Sequence, residues 1–380
     1  MEFGFTEEQE ALRAETIEFA RNELSADPVA RDTTQGFNPD LWQRCADFGI
    51  LNSNIPVEYG GRGRDVTTTV AMMEGLGYGC PDNGLTLALN GQVWAVQEPI
   101  QRFASEEQKE RYLPLLGSGG FGAHAMSELE SGSDTFALAT TATKTGDGYV
   151  LNGRKSYIGL APVCDVALVF ATTDPSLGRW GVSAFLVDSD TPGFNRSDNQ
   201  PKMGLRTGPF GEITFADCVV PTSARFGPEG AGASIFTASM DWERSFIFAS
   251  HVGSMARQLD QSIEYARTRH QFGEPIGKFQ SVSNRIADMQ LRLETSRLLL
   301  YKAAWLLDTG QPAPLASSLA NLHLAESFVA SSTDAIRIHG AKGYMSEYGV
   351  ERDLRDALGG VIYSGTSDIQ RQVIARLLGL

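Results

Sequence analysis

The sequence predicts an α+β fold in three consecutive parts: an N-terminal helical domain over residues 1–120, a middle antiparallel β domain over 121–230 and a C-terminal helical bundle over 231–380. Three observations predict it. Apolar residues recur at helical spacing through the first third. Short apolar stretches bounded by Gly, Asn, Asp and Pro then replace them. Beyond Ala231 come long periodic segments with little Pro or Gly, the pattern of an antiparallel helical bundle. A chain of 380 residues is long enough for two or three domains of about 150 residues.

In the first part, "FTEEQEALRAETIEFARNEL" opens with Thr6 and Gln9 at capping-box spacing, and Leu12, Ile17, Phe19, Ala20 and Leu24 follow at roughly helical spacing. "PDLWQRCADFGIL" and "TTTVAMMEGLGYG" continue the pattern across Gly-rich loops such as "EYGGRGRD". In the second part, "GYVLNGRKSYIG", "DVALVFATTD", "WGVSAFLVD" and "GEITFADCVVP" read as strands, with Asn152-Gly153 predicting a hairpin turn. In the third, "MDWERSFIFASHVGSMARQLDQSIEYARTR" predicts one helix of about thirty residues, roughly 45 Å at 1.5 Å per residue. "VSNRIADMQLRLETSRLLLYKAAWLLD" predicts a second long helix, and "PLASSLANLHLAESFVASSTDAIRIHG" and the tail supply more.

Net charge is −14 and the pI about 4.9, which argues against a general nucleic-acid or anionic-membrane binder. The four cysteines, Cys45, Cys80, Cys164 and Cys218, are far apart, which fits free thiols in a reducing cytoplasm and offers no metal-site spacing. The start "MEFGFTEEQE" lacks the basic, then apolar, pattern of a signal peptide. No window approaches the ~18 apolar residues of a membrane span. The five histidines form no pair at metal-ligand spacing, and there is no G-x-S-x-G elbow and no P-loop. Gly117–Gly122 nominally matches G-x-G-x-x-G but precedes a strand instead of opening a helix, so it reads as an interdomain loop.

Four segments carry more. "HAMSELESGSD" is a strand running into a polar loop, "YARTRHQFG" a helix end rich in cations, "RIHGAKGY" a Gly-rich helix stop, and "SGTSDIQ" a helix start with capping spacing from Ser367 to Gln370. Each alone has that ordinary reading. Together with "LNGRKSYIG", in this order and this three-part architecture, they resemble the acyl-CoA dehydrogenase family over nearly the full chain. "MSELESGSD" is similar to the family's "LTEPGAGSD", "RTRHQFG" to "xxRxQFG", "DAIRIHGAKGY" to "DAxQIxGGxGY" and "YSGTSDIQ" to "YEGTSEIQ".

The resemblance implies an FAD enzyme, a homotetramer with flavin between the β domain and the bundle. It implies oxidation of an acyl thioester between Cα and Cβ on CoA or a carrier protein, with electrons passed to an external acceptor. It places Met126, Ser127 and Ser133 at the flavin, Ser133 also near substrate, with Tyr157 beside the ring where the family usually has tryptophan. Arg269 is expected at the FAD pyrophosphate and Phe272 at the adenine, across a subunit boundary. Gly340 and Ala341 are expected close to a neighbour's dinucleotide, and Thr366 and Gln370 at the FAD. Departures stand at Ser127, Leu129, Gly159, Arg337 and Ala341, so the FAD contacts of Gly159 and Arg337 are the ones put in doubt.

The largest departure is Ser364, where the family's proton-abstracting glutamate usually stands. An alcohol without a partner base is a very poor proton acceptor, so Ser364 is expected to act only through its backbone N–H, as a donor to the thioester oxygen. Glu243, in "MDWER", is the replacement candidate. On a helix it faces Met240, Phe246 and Ile247, and a carboxylate among apolar groups is costly unless paired or useful. The residues alone also fit a helix capped by Ser239 with Asp241 and Glu243 as first-turn acids. The resemblance favours Glu243 as base: in a minority of the family the base sits on this earlier helix in an Glu-Arg pair, and Arg244 then orients it or borders the substrate. The pairing of "MDWER" with "YSGTSD" also resembles a natural-product subgroup that includes dehydrogenases of prolyl groups on peptidyl carrier proteins. Two alternatives stand beside this reading: a flavin monooxygenase on the same fold, and a non-catalytic subunit.

Overall fold

A computed structural model describes residues 4–380. Seven helices fill the first part: α1 (Glu7–Glu23), α2 (Pro28–Thr34), α3 (Pro39–Phe48), α4 (Val66–Gly79), α5 (Asn83–Gln92), α6 (Glu98–Phe103) and α7 (Glu106–Gly117). Their starts follow local chemistry. Thr6 and Gln9 form the reciprocal capping box expected of them, Ser105 and Gln108 form a second, and Asn38 with Pro39 starts α3. Between α5 and α6 the chain widens into a π-helix, Val93–Gln97, a form that clusters at functional sites.

The middle part is a sheet of β1 (Gly122–Ala125), β2 (Thr141–Thr145), β3 (Gly148–Gly159), β4 (Val166–Thr172), β5 (Val182–Asp188), β6 (Phe194–Arg196), β7 (Phe210–Pro221) and β8 (Arg225–Phe226). The order is β6-β7-β3-β2-β4-β5-β8, with β1 alongside β4. It is not wholly antiparallel: β1 runs parallel to β4, pairing Ala123 with Ala167 and Ala125 with Val169. Asn152-Gly153 is not a turn either. It lies inside β3 at a register shift opposite β7, and the β2–β3 turn falls at Gly146 and Asp147 instead. Glycine is needed at 153 because φ is +146° and a Cβ would meet the Thr140 Cα at 2.6 Å.

The last part comprises α8 (Gly232–Phe246), α9 (Ala249–Thr268), the hairpin of β9 (His270–Gln271) and β10 (Glu274–Pro275), then α10 (Gln280–Asp308), α11 (Pro314–His339), α12 (Ala341–Tyr344), α13 (Val350–Gly360) and α14 (Ser367–Leu377). The single helix expected from Met240 to Arg269 is two, broken at Ile247 and Phe248. The break carries no Gly or Pro; Phe248 leaves helical geometry while its side chain is fully buried. Helices of the first and last parts share one continuous core, including Trp42, Leu76, Trp94, Phe246, Val252, Leu300 and Phe328. The sheet buries two further cores, one on each face. No helix is long and apolar enough to cross a membrane, and among the described residues no group of three or more His, Cys, Asp or Glu is placed to hold a metal ion.

Candidate active site

Glu243 sits in the last turn of α8, not the first. Ser239 lies inside the helix and donates its hydroxyl to the Phe236 carbonyl at 2.9 Å, so it caps nothing. A carboxylate at a helix C-terminus opposes the dipole, which removes the ordinary explanation of Glu243 as a first-turn acid. Its neighbours are held firmly. The Arg102 guanidinium stacks 3.6 Å over the Trp242 ring, and Asn321 on α11 donates to the Arg244 carbonyl at 3.0 Å. Burial pushes the Asp241 carboxyl up and the Arg244 guanidinium down, with Asp241 and then Glu243 pulling Arg244 back.

The structure brings Glu243 and Ser364 together although they are far apart in sequence. The Ser364 hydroxyl donates to Glu243 Oε1 at 2.8 Å, and Glu243 Oε2 is buried without a partner. That hydroxyl contact adds to the backbone role expected of Ser364. Among the described residues no carbonyl accepts the Ser364 N–H, so it remains available to a ligand oxygen. Other buried polar atoms are also unpaired, on the elements that pack against α8 and on α8 itself: Arg244 Nε, Trp242 Nε1, His124 Nε2 and, from the π-helix, Trp94 Nε1 and both amide atoms of Gln97. Trp94 reaches this region by packing 4.8 Å from Phe246 on α8. Buried polar atoms are rarely left unpaired, so such a cluster marks a place built for a polar ligand.

His124, on β1, ties the base to the sheet. Its ring lies 5.9 Å from Phe236 on α8 and 5.4 Å from Phe170 on β4. Burial pushes its imidazole down, and the nearby Glu243 charge pulls it back up. His124 is two residues before Met126, so the base stands beside the end of β1 where the resemblance puts the flavin. Sequence reading missed His124, Trp94 and Gln97; only its position beside "MSELES" pointed to His124, and nothing in the sequence announced the π-helix.

The residues expected at FAD fall into two sets. Beside the sheet, Met126 and Ser127 follow β1 and meet the end of β3, which carries Tyr157 and Gly159, through the Ser156 N–H to Ser127 carbonyl bond of 2.9 Å. Tyr157 has φ +63° in a bulge and is 57% exposed. A Cβ at Gly159 would touch nothing within 4 Å. Ser133 is exposed on the loop after β1. This is an open polar ledge with a free aromatic face, and it fits a flavin edge.

The second set lies at one end of the bundle. Arg269 ends α9, Phe272 tips the β9–β10 hairpin at 95% exposure, and Gly340 and Ala341 follow α11. Stacking of Tyr265 on His339 at 4.4 Å holds the two helix ends together. Arg269 has no carboxylate partner among the described residues, leaving it for phosphate, whereas Arg337 pairs with Asp334 at 3.6 Å. Thr366 caps α14 by accepting the Ile369 N–H, and Gln370 is fully buried with its amide donating to the carbonyls of Ser364 and Gly365.

Comparison with known proteins gives the family and the class of reaction. The chain matches the acyl-CoA dehydrogenase N-terminal domain over residues 6–120, the middle domain over 123–218 and the C-terminal domain over 230–379, and it belongs to that family. It is 43% identical over 382 residues to an L-prolyl-[peptidyl-carrier protein] dehydrogenase of Pseudomonas fluorescens, covering 100% of both chains. The crystal structure of the prolyl acyl carrier protein oxidase AnaB superposes with a TM-score of 0.98 at 47% identity, over 99% of this chain and 100% of that one. The structure of PigA with FAD and proline gives 0.97 at 40% identity, over 100% of each chain. The protein is an FAD-dependent acyl-thioester dehydrogenase; its relatives support dehydrogenation, not a monooxygenase or a non-catalytic subunit.

Proposed function

We propose that this enzyme oxidises a prolyl group held as a thioester on a peptidyl carrier protein, with Glu243 taking the α-proton through Oε2. The observation that carries the base assignment is the Glu243–Ser364 contact beside an unpaired, buried Oε2. The Cα–H bond breaks, its proton bonds to Oε2, and the Ser364 N–H supports the negative charge that builds on the thioester oxygen. Bound FAD supplies the two-electron acceptor for the hydride leaving Cβ. Met126, Ser127, Ser133, Tyr157 and Gly159 would hold its ring system, with Thr366 and Gln370 near the start of α14. Arg269, Phe272, Gly340 and Ala341, with Arg337 at the margin, would reach the dinucleotide of a neighbouring subunit. In this reading the enzyme works as a cytoplasmic homotetramer reoxidised by an external electron acceptor, as the family resemblance implies.

The prolyl assignment is supported by the relatives' named substrate and by the unpaired polar atoms on and beside α8. A fatty acyl chain offers no donor to the buried, unpaired acceptors Gln97 Oε1 and His124 Nε2, whereas the amine of an aminoacyl group could donate to one of them. Anaerobic mixing of the yellow holoenzyme with prolyl, branched and straight acyl thioesters, each on CoA and on carrier protein, tests this. Prolyl-carrier protein is expected to bleach the flavin at least ~10²-fold faster than saturated acyl-CoAs. Bleaching by acyl-CoA with prolyl thioesters inert would overturn the prolyl reading; no bleaching by any thioester would overturn the reaction itself.

A further inference from the structure

We infer that the Ser364 side chain is a positioning residue for the base: its hydroxyl fixes the Glu243 carboxylate so that Oε2 alone faces the substrate. This rests on Glu243 being the base. The 2.8 Å hydrogen bond occupies Oε1, while Oε2 is buried and unpaired, so the two oxygens are not equivalent. The turn that aims the hydroxyl is itself locked. Ser364 has φ +55°, a left-handed conformation uncommon for a residue with a Cβ, and Gly365 follows at φ +87°. Strain of that kind persists only where surroundings enforce it. Here the buried Gln370 amide donates to both the Ser364 and Gly365 carbonyls at 3.1 Å, and a Cβ at Gly365 would sit 2.6 Å from that same nitrogen. Thr366 then caps α14, anchoring the turn to a helix. The segment carries no carboxylate of its own, only a donor pointed at the one on α8.

Without the hydroxyl the carboxylate is free to rotate and Oε2 is no longer singled out for the substrate. The other groups that feel the Glu243 charge are His124 on β1 and Arg244 on α8, and neither is altered by the test. The experiment is anaerobic rapid mixing of Ser364→Ala and Ser364→Gly holoenzymes with their best thioester over a range of concentrations, beside wild type and Glu243→Gln. Both Ser364 variants should keep FAD. In both, the limiting reduction rate should fall about tenfold while the thioester concentration giving half that rate changes little. Glycine relaxes the left-handed backbone but also lacks the hydroxyl, so a merely structural role for Ser364 would let Ser364→Gly regain the wild-type profile. That recovery, or an unchanged limiting rate in both variants, overturns the inference. Normal reduction by Glu243→Gln would overturn the base assignment on which it rests.

Discussion

At the scale of single residues, Lys155 shows how a buried charge builds the ledge proposed to hold the flavin. It is fully buried, donating to the Met126 carbonyl at 2.9 Å and pairing with Glu128 at 2.7 Å. Glu128 in turn accepts the Ala139 and Thr140 N–H groups, so one ion pair pins the loop carrying Ser127 and Ser133 to β3. Burial pushes the Lys155 ammonium down to about 8 against the pull of Glu128, whose own carboxyl is held low by Lys155 despite its burial. Breaking such a pair strands the other charge. Lys155→Met should cost about 3 kcal/mol in urea unfolding, and adding Glu128→Gln should recover part of it. A Lys155→Met variant as stable as wild type would show that the loop is held by other contacts. At this scale the sequence was legible where motifs are local, as at Thr6 and Gln9. It was silent where partners are remote, as for Ser364 meeting Glu243.

At the scale of elements, the three-part order was legible because helical and strand periodicities differ so plainly. The misreadings share one cause: tertiary contacts override local signals. Asn152-Gly153 carries a turn signature, yet the close approach of Thr140 puts the glycine inside a strand. The break after Phe246 has no breaker residue, and burial of Phe248 in the shared core accompanies it. Gly77 weakens a helix in principle, yet it sits mid-α4 because a Cβ there would come 1.8 Å from the Ser250 carbonyl; Gly253 answers it from α9, 1.9 Å from the Glu74 carbonyl. Such crossings depend on a partner helix some 170 positions away, beyond any local pattern. The family was legible as resemblance; the unpaired polar atoms of Trp94, Gln97 and His124 were not, because an unpaired atom is visible only once its neighbours are placed.

At the scale of the whole molecule, the three parts are tied at α13. Asp356 accepts the Leu205 N–H from the middle part at 2.5 Å and the Asn83 amide from the first part at 2.9 Å, and Asp353 takes the same amide at 2.9 Å. Burial pushes the Asp356 carboxyl up to about 7. A carboxyl whose folded value lies above its unfolded one contributes stability at low pH and loses it as pH rises through that value. The holoenzyme should therefore melt at lower temperature at pH 8 than at pH 6, and Asp356→Asn should flatten that slope. An equal slope in the variant would place its origin elsewhere.

The central claim is that proton abstraction moved to α8 while the C-terminal turn kept a supporting part. Anaerobic rapid mixing of Glu243→Gln holoenzyme with prolyl-carrier protein tests it most directly. The variant is expected to keep a flavin content equal to wild type and to show a reductive half-reaction slowed at least ~10³-fold. Flavin reduction at a near-normal rate in that variant would contradict it.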